Sequence, residues 1–276
     1  MKTGRAVLRD GRTAWGLALL GGMALVAILA PVLAPFNPIA QHDILATRFL
    51  APFTRDPSGA MHWLGTDNLG RDLLSRLLYG ARISLSVGLL AAGLAAAIGT
   101  VIGAVAALAG GAVERALMAL TDGLLALPRL VLLLAMVAFL TPSFGLIVVI
   151  IGATGWMSIA RLARAEVHGL LARPFVDAAR VAGATPVRLL FRHLLPNALT
   201  PILVAAALGV ANAIGLEAGL AFLGMGVPAP APSWGNMIAT GRDALVQAPW
   251  LATIPGLAIV LAVVACNLVA DGVREA

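Results

Sequence analysis

Residues 175–197, "FVDAARVAGATPVRLLFRHLLPN", place Asp177, Arg180, Arg188, Arg192 and His193 between two long apolar runs. Residues 175–182 suit a helix, Gly183 supplies a turn, Thr185 is placed to cap a second helix, and Pro186 takes that helix's first position. Within the second helix, Val187, Leu190, Phe191, Leu194 and Leu195 recur at helical spacing as one apolar stripe, while Arg188 and Arg192 share another face. Pro196 and Asn197 are expected to stop the helix before the next apolar run. The segment reads as an amphipathic helix-turn-helix, suited to docking into something beside it.

What flanks it fixes the class. The chain has 276 residues, of which 60% are hydrophobic and only 12% charged, and its mean hydropathy is +0.96. These values lie far from those of a soluble globular domain. A bilayer core of roughly 30 Å needs about 20 apolar residues per helix. Six such runs are present, at about 14–34, 83–109, 116–140, 144–163, 198–223 and 249–270. The expectation is an all-α integral membrane protein with about six transmembrane helices.

The formal net charge of +6 is spread between the spans, which makes nucleic acid a poor partner. Cys266 is the only cysteine, so no internal disulfide can form, and it suits the packed core of the last span. The first apolar run is too long for a signal peptide and lacks a small-x-small cleavage site, so it reads as a retained anchor.

Lys2, Arg5, Arg9 and Arg12 precede the first span, which predicts a cytoplasmic N-terminus and, with six spans, a cytoplasmic C-terminus. On that topology the segment between spans four and five, bearing Arg161, Arg164, Arg173, Arg180, Arg188 and Arg192, is cytoplasmic. The external loop of about 36–82 fits less well, because Arg48, Arg55, Arg71, Arg76 and Arg82 face only Asp43, Asp56, Asp67 and Asp72. Within it, Leu73, Leu74, Leu77 and Leu78 oppose Arg71, Ser75 and Arg76, the pattern of a short helix at the membrane surface.

Gly88, Gly93, Gly99 and Gly103 are expected to bring the second span close to its neighbours. The alternating Pro228, Pro230 and Pro232 predict an extended chain, and Trp234 and Trp250 suit an interfacial belt. No repeat of 20–50 residues and no separate soluble domain are evident. The chain divides into an anchor with its external loop, 1–82, and a five-helix core, 83–276, that carries the amphipathic loop at about 165–197.

The opening stretch resembles the EAA loop of ABC importer permeases, a Glu-Ala-Ala, three residues, a Gly, and later Leu-Pro. Here Asp177 replaces the Glu, followed by Ala178, Ala179, Gly183, Ala184 and Pro196. Three further blocks are similar to the dipeptide, oligopeptide and nickel permeases: "WLGTDNLGRDLLSRLLYGAR" at 63–82, "LEAGLAFLGMGVPAPAPSWGNM" at 216–237, and "NLVADGVREA" at 267–276. The chain is most similar to the second permease subunit of dipeptide importers, from about residue 15 to its end.

The resemblance implies a type I ABC importer permease fold, N-in and C-in, in a bacterial cytoplasmic membrane. It further implies a heterodimer with a homologous permease, two ATP-binding subunits or domains that hold ATP and Mg, and an extracytoplasmic solute-binding protein. The loop would insert a coupling helix into a groove of the ATPase, a role carried onto Asp177, Ala178, Ala179 and Gly183. Arg192 and His193 match the subfamily pattern too, though a solvated charged face accounts for them equally. The external block contributes Gly65, Thr66, Asp67, Gly70, Arg71 and Asp72. Peptides, nickel and related small solutes share this permease type, so the solute stays open.

Two carboxylates fall inside spans, where charge is costly. Asp122 is a candidate cap, salt-bridge partner or gate contact; Glu217 is a candidate for structural pairing or for the pathway. No phosphate-binding G-x-x-x-x-G-K-[ST] is present, so the energy must come from a partner. An intramembrane enzyme is disfavoured by the absence of H-E-x-x-H and G-x-S-x-G and of a G-x-G-D context at Asp122 or Asp271. A DNA-binding reading of 175–195 is disfavoured by the flanking spans. An ATP-independent secondary transporter is the remaining rival and predicts no coupling partner.

Overall fold

The computed structural model describes residues 11–41 and 43–275; the basic residues Lys2, Arg5 and Arg9 lie outside them. Twelve helices are labelled below. The anchor is α1 (Gly11–Leu33), and a connector follows with one turn of helix, α2 (Ile44–Thr47), and a two-stranded antiparallel ribbon, β1 (Thr54–Arg55) with β2 (Met61–His62). Then come α3 (Leu73–Ala109), α4 (Gly111–Leu125), α5 (Arg129–Ala138), α6 (Phe144–Ala153) and α7 (Trp156–Leu171). The segment of the opening quotation forms α8 (Pro174–Val181), α9 (Pro186–Leu189) and a π-helical turn at Leu190–Leu194. The chain ends with α10 (Leu195–Phe222), α11 (Trp234–Arg242) and α12 (Trp250–Glu275).

Four helical stretches are long and apolar enough to cross a membrane singly: 11–33, 73–109, 186–222 and 250–274. The other two expected spans are bent pairs, α4 with α5 at 84° and α6 with α7 at 41°. Pro128, which lacks an amide hydrogen, stands at the first break. At the second, Thr154 and Gly155 separate α6 from α7, with Thr154 Oγ1 donating back to Ile150 O at 2.9 Å.

The axis of the molecule is α3, at 37 residues about 55 Å long. It packs against α1, α6, α7 and α10, and α12 closes the bundle against α1, α10 and α11. Small residues set the closest approach: a side chain at Gly99 would meet Trp156 O at 2.6 Å, and one at Gly88 would meet Ile214 Cγ1 at 2.7 Å. Gly103 sits equally close to α7, against Ala160 O and Ala163, whereas Gly93 meets nothing within 4 Å. Three of the four glycines therefore serve helix contact. Cys266 is a free, buried thiol in α12.

Three expectations are corrected. The separate surface helix expected near 73–82 is the beginning of α3, because Arg71, Ser75 and Arg76 are buried and bonded, not facing water. Pro196 does not stop the second helix of the hairpin: the π turn carries the chain through it, with Leu195 N donating to Leu190 O, and 186–222 is one helical stretch. Trp234 is not a surface residue of the kind a belt needs; it is 2% exposed, packs over Gly80, and donates Nε1–H to Leu77 O at 3.1 Å.

Candidate functional site

The two ends of α3 carry different structures. At its C-terminal end, Ala104 and Ala107 pack with Val167 of α7 and with Val176, Leu189 and Leu194 of the hairpin. Those three hairpin residues are buried anchors, and most of the rest is outside. Val181 is 90% exposed, Val187 67% and Phe191 66%. The π turn divides the expected apolar stripe, sending Leu194 inward while Val187 and Phe191 face away.

The turn between α8 and α9 is a Schellman motif. Ala184 N donates to Ala179 O at 3.0 Å and Gly183 N to Arg180 O at 2.9 Å, with Gly183 at φ +81°. A residue with a Cβ is strained there, although nothing lies within 4 Å of that position. Thr185 caps α9 by accepting from Arg188 N at 3.3 Å. Asp177 and Ala178 are exposed, Asp177 facing Arg180 at 3.3 Å, while Ala179 and Ala184 are half-buried beneath the turn. Arg192 is exposed and His193 half-buried, and Asn197 Nδ2 donates to His193 O at 2.6 Å.

Next to this end, two pairs join α4 to α7. Glu114 accepts from Arg164 Nε at 2.5 Å and lies 2.8 Å from His168 Nε2. Asp122 faces Arg161 at 3.7 Å, with both side chains about 60% exposed. Asp122 is thus a salt-bridge partner in this conformation. The role of Glu114 had no sequence signal, since its partners lie fifty or more positions away.

The other end of α3 is a closed polar network. Asp67 accepts from Arg71 Nε at 2.7 Å and lies 3.5 Å from Arg76 Nε, all three being buried. Arg76 also donates to Pro38 O at 3.1 Å, and Ser75 Oγ accepts from Phe36 N at 3.0 Å, which fastens the connector to α3. Asp72 caps α3 through Ser75 N at 2.8 Å and holds His62 Nδ1 at 2.8 Å, while His62 stacks on Phe36. Asp56, 3.6 Å from His62, has its carboxyl held below the ordinary range by the Ser58 hydroxyl at 2.6 Å, helped by backbone donors and by His62 and opposed by burial. Thr66 donates to Thr47 O and accepts from Leu50 N. Gly65 and Gly70 take φ +82° and +71°, and a Cβ would strike Leu50 O at the first and Thr47 Oγ1 at the second. The six motif residues of the loop are brought together here, and two of its five arginines, Arg71 and Arg76, are paired within the fold.

Glu217 is fully buried in α10. Ser233 Oγ donates to its Oε1 at 2.7 Å and accepts from Asn236 N at 3.1 Å as the cap of α11. Gly235 leaves room for the carboxylate, since a side chain there would meet Glu217 Oε2 at 3.0 Å. Glu217 therefore ties α10 to α11 and does not face an open path in this conformation. Among the described residues its Oε2 has no hydrogen-bond partner.

The bundle thus carries a self-contained cap at one end and a partly exposed helical hairpin at the other. Residues 99–276 match the binding-protein-dependent transport system inner membrane component family, and residues 8–54 match the N-terminal transmembrane domain of oligopeptide transport permease C. This chain belongs to the family of binding-protein-dependent transport system inner membrane components.

It is 39% identical to the dipeptide transport system permease protein of Haemophilus influenzae, over 95% of this chain and 88% of that protein. It is 41% identical to the di/tripeptide transport system permease protein of Pseudomonas aeruginosa, over 95% of this chain and 86% of that one. In fold it is similar to a chain of the inward-facing MetNI methionine ABC transporter, with a TM-score of 0.60 at 20% identity, covering 74% of this chain and 97% of the other. The protein is a multi-pass permease of the bacterial inner membrane with the type I ABC importer fold.

Proposed function

We propose that this permease moves di- and oligopeptides into the cytoplasm, driven by ATP hydrolysed elsewhere. It pairs with a homologous permease, receives peptide from an extracytoplasmic binding protein, and is worked by two ATPase subunits that bind ATP and Mg; the chain itself has no ATPase site. Its N- and C-termini are cytoplasmic. Asp177, Ala178, Ala179, Gly183 and Ala184 meet the ATPase, with Arg192 and His193 on the adjoining turn and Pro196 leading into the span.

The observation that carries this reading is the hairpin itself. Val176, Leu189 and Leu194 root it in the bundle, while Val181, Val187 and Phe191 are left outside on the helical turns that flank Gly183. A hairpin so held can transmit a partner's movement to α3, α7 and α10 as a rigid body. The names of the relatives support peptide as the solute.

The test is ATP-dependent uptake of a labelled dipeptide in cells lacking this gene. Wild type is expected to restore uptake, and a restored strain poisoned of ATP to lose it. Uptake unchanged by deletion and by complementation would reject the peptide assignment.

A further inference from the structure

Where the breaks of the two bent spans meet, Arg129 opens α5 and reaches across to the end of α6. Its Nη2 donates to Ile151 O at 2.8 Å and its Nε to Thr154 Oγ1 at 3.3 Å. Gly155 makes the space: a Cβ there would lie 2.9 Å from Nη2 and 3.0 Å from Ala95 Cβ. Contact through Ala95 places the guanidinium about 33 Å from one end of α3 and about 21 Å from the other, well inside the bundle.

No carboxylate among the described residues forms an ion pair with Arg129. A guanidinium offers five N–H donors, and the two bonds above leave three. A cation at this depth is costly unless it meets an anion or water. Bonding the Ile151 carbonyl and the Thr154 hydroxyl at the end of α6 accounts for two donors and not for the rest.

Arg129 lines a cavity of about 300 Å³ with Gly155, Ser158, Gly209 and Asn212 and with apolar side chains of α3, α7 and α10. Ser158 and Asn212 are exposed, so the cavity opens at the surface of the chain. Polar side chains at mid-bundle belong on a water-filled path, not against lipid. The volume lies at the small end of the ~300–1,000 Å³ typical of ligand sites.

We propose that Arg129 is an anion-binding residue of the translocation path that receives the carboxylate of a peptide in transit. The proposal rests on the peptide-import reading and sharpens it. Every peptide with a free C-terminus carries that group whatever its side chains, so one arginine serves a broad set of sequences. Ser158 and Asn212 add uncharged hydrogen-bonding groups beside it. The same charge repels a bare divalent cation such as free nickel.

The experiment uses the complete importer in proteoliposomes, with wild type, Arg129→Gln and Arg129→Lys. It reads labelled dipeptide uptake, ATP hydrolysis stimulated by loaded binding protein, and the yield of assembled complex. Arg129→Gln is expected to assemble normally and hydrolyse ATP within about twofold of wild type while uptake falls about tenfold, with Arg129→Lys recovering at least half. An Arg129→Gln importer with wild-type uptake overturns the anion site alone. Parallel loss of yield, hydrolysis and uptake also overturns it, since that is the signature of a helix cap. A wild type that carries no peptide defeats both this proposal and the reading beneath it.

Discussion

The two ends of α3 solve opposite problems. At the Leu73 end, Asp67, Asp72, His62, Arg71, Ser75 and Arg76 are buried, and each has its partner inside the chain. At the Ala109 end, only Val176, Leu189 and Leu194 of the hairpin are buried, and Val181, Val187 and Phe191 stand outside. Buried polar groups must be satisfied or they cost free energy, so the first end is a finished cap. Exposed apolar groups on a well-formed turn have the character of a surface completed by another protein. The first end holds its shape alone; the second keeps its shape in order to be gripped.

Breaking the finished end has the largest effect on folding. Asp67→Ala strands two buried arginines and is expected to cost about 3–5 kcal/mol, seen as lost yield and early unfolding in detergent. A variant that melted with wild type would remove the network from the account. Ser233→Ala takes away both the cap of α11 and the donor to Glu217, for about 1–3 kcal/mol by the same melt, and Ser233→Thr should restore much of it.

At the other end, function should fail before the fold does. Gly183→Asp carries about 1–2 kcal/mol of backbone strain at φ +81° and meets nothing within this chain. It should insert normally, yet dipeptide uptake should fall at least about tenfold, measured beside membrane-fraction abundance. The smallest effect is that of Asp177→Ala on stability. Its pair with Arg180 is exposed at 3.3 Å, worth about 0–1 kcal/mol, so thermal unfolding should scarcely move. A large shift would make Asp177 part of the scaffold instead of the surface.

How legible these ends were in the sequence follows from the same contrast. The hairpin is written locally: Gly183, Thr185 and Pro186 are turn and cap residues whose geometry needs no distant partner, and they stand as expected. The π turn was not legible, because the helical spacing of Val187 to Leu195 is indistinguishable from an ordinary stripe until Pro196 removes an amide donor. The cap end is written non-locally. Arg76 looked solvated because Pro38, thirty-eight positions before it, is invisible to periodicity. Trp234 looked interfacial for the same reason, its hydrogen bond reaching Leu77 across 157 positions. Six apolar runs set the class, but the bends at Pro128 and Gly155, and hence the pocket of Arg129, depend on how separate spans meet.

The central claim is that the 174–194 hairpin, and not the 34–76 end, meets the ATPase. With Cys266 buried, single cysteines can be placed at Ala178 and at Asn68, both exposed, and each labelled with a photo-crosslinker in the assembled importer. The account predicts that Ala178→Cys captures the ATPase subunit and Asn68→Cys does not. Capture from Asn68→Cys, or its absence from Ala178→Cys, would contradict it.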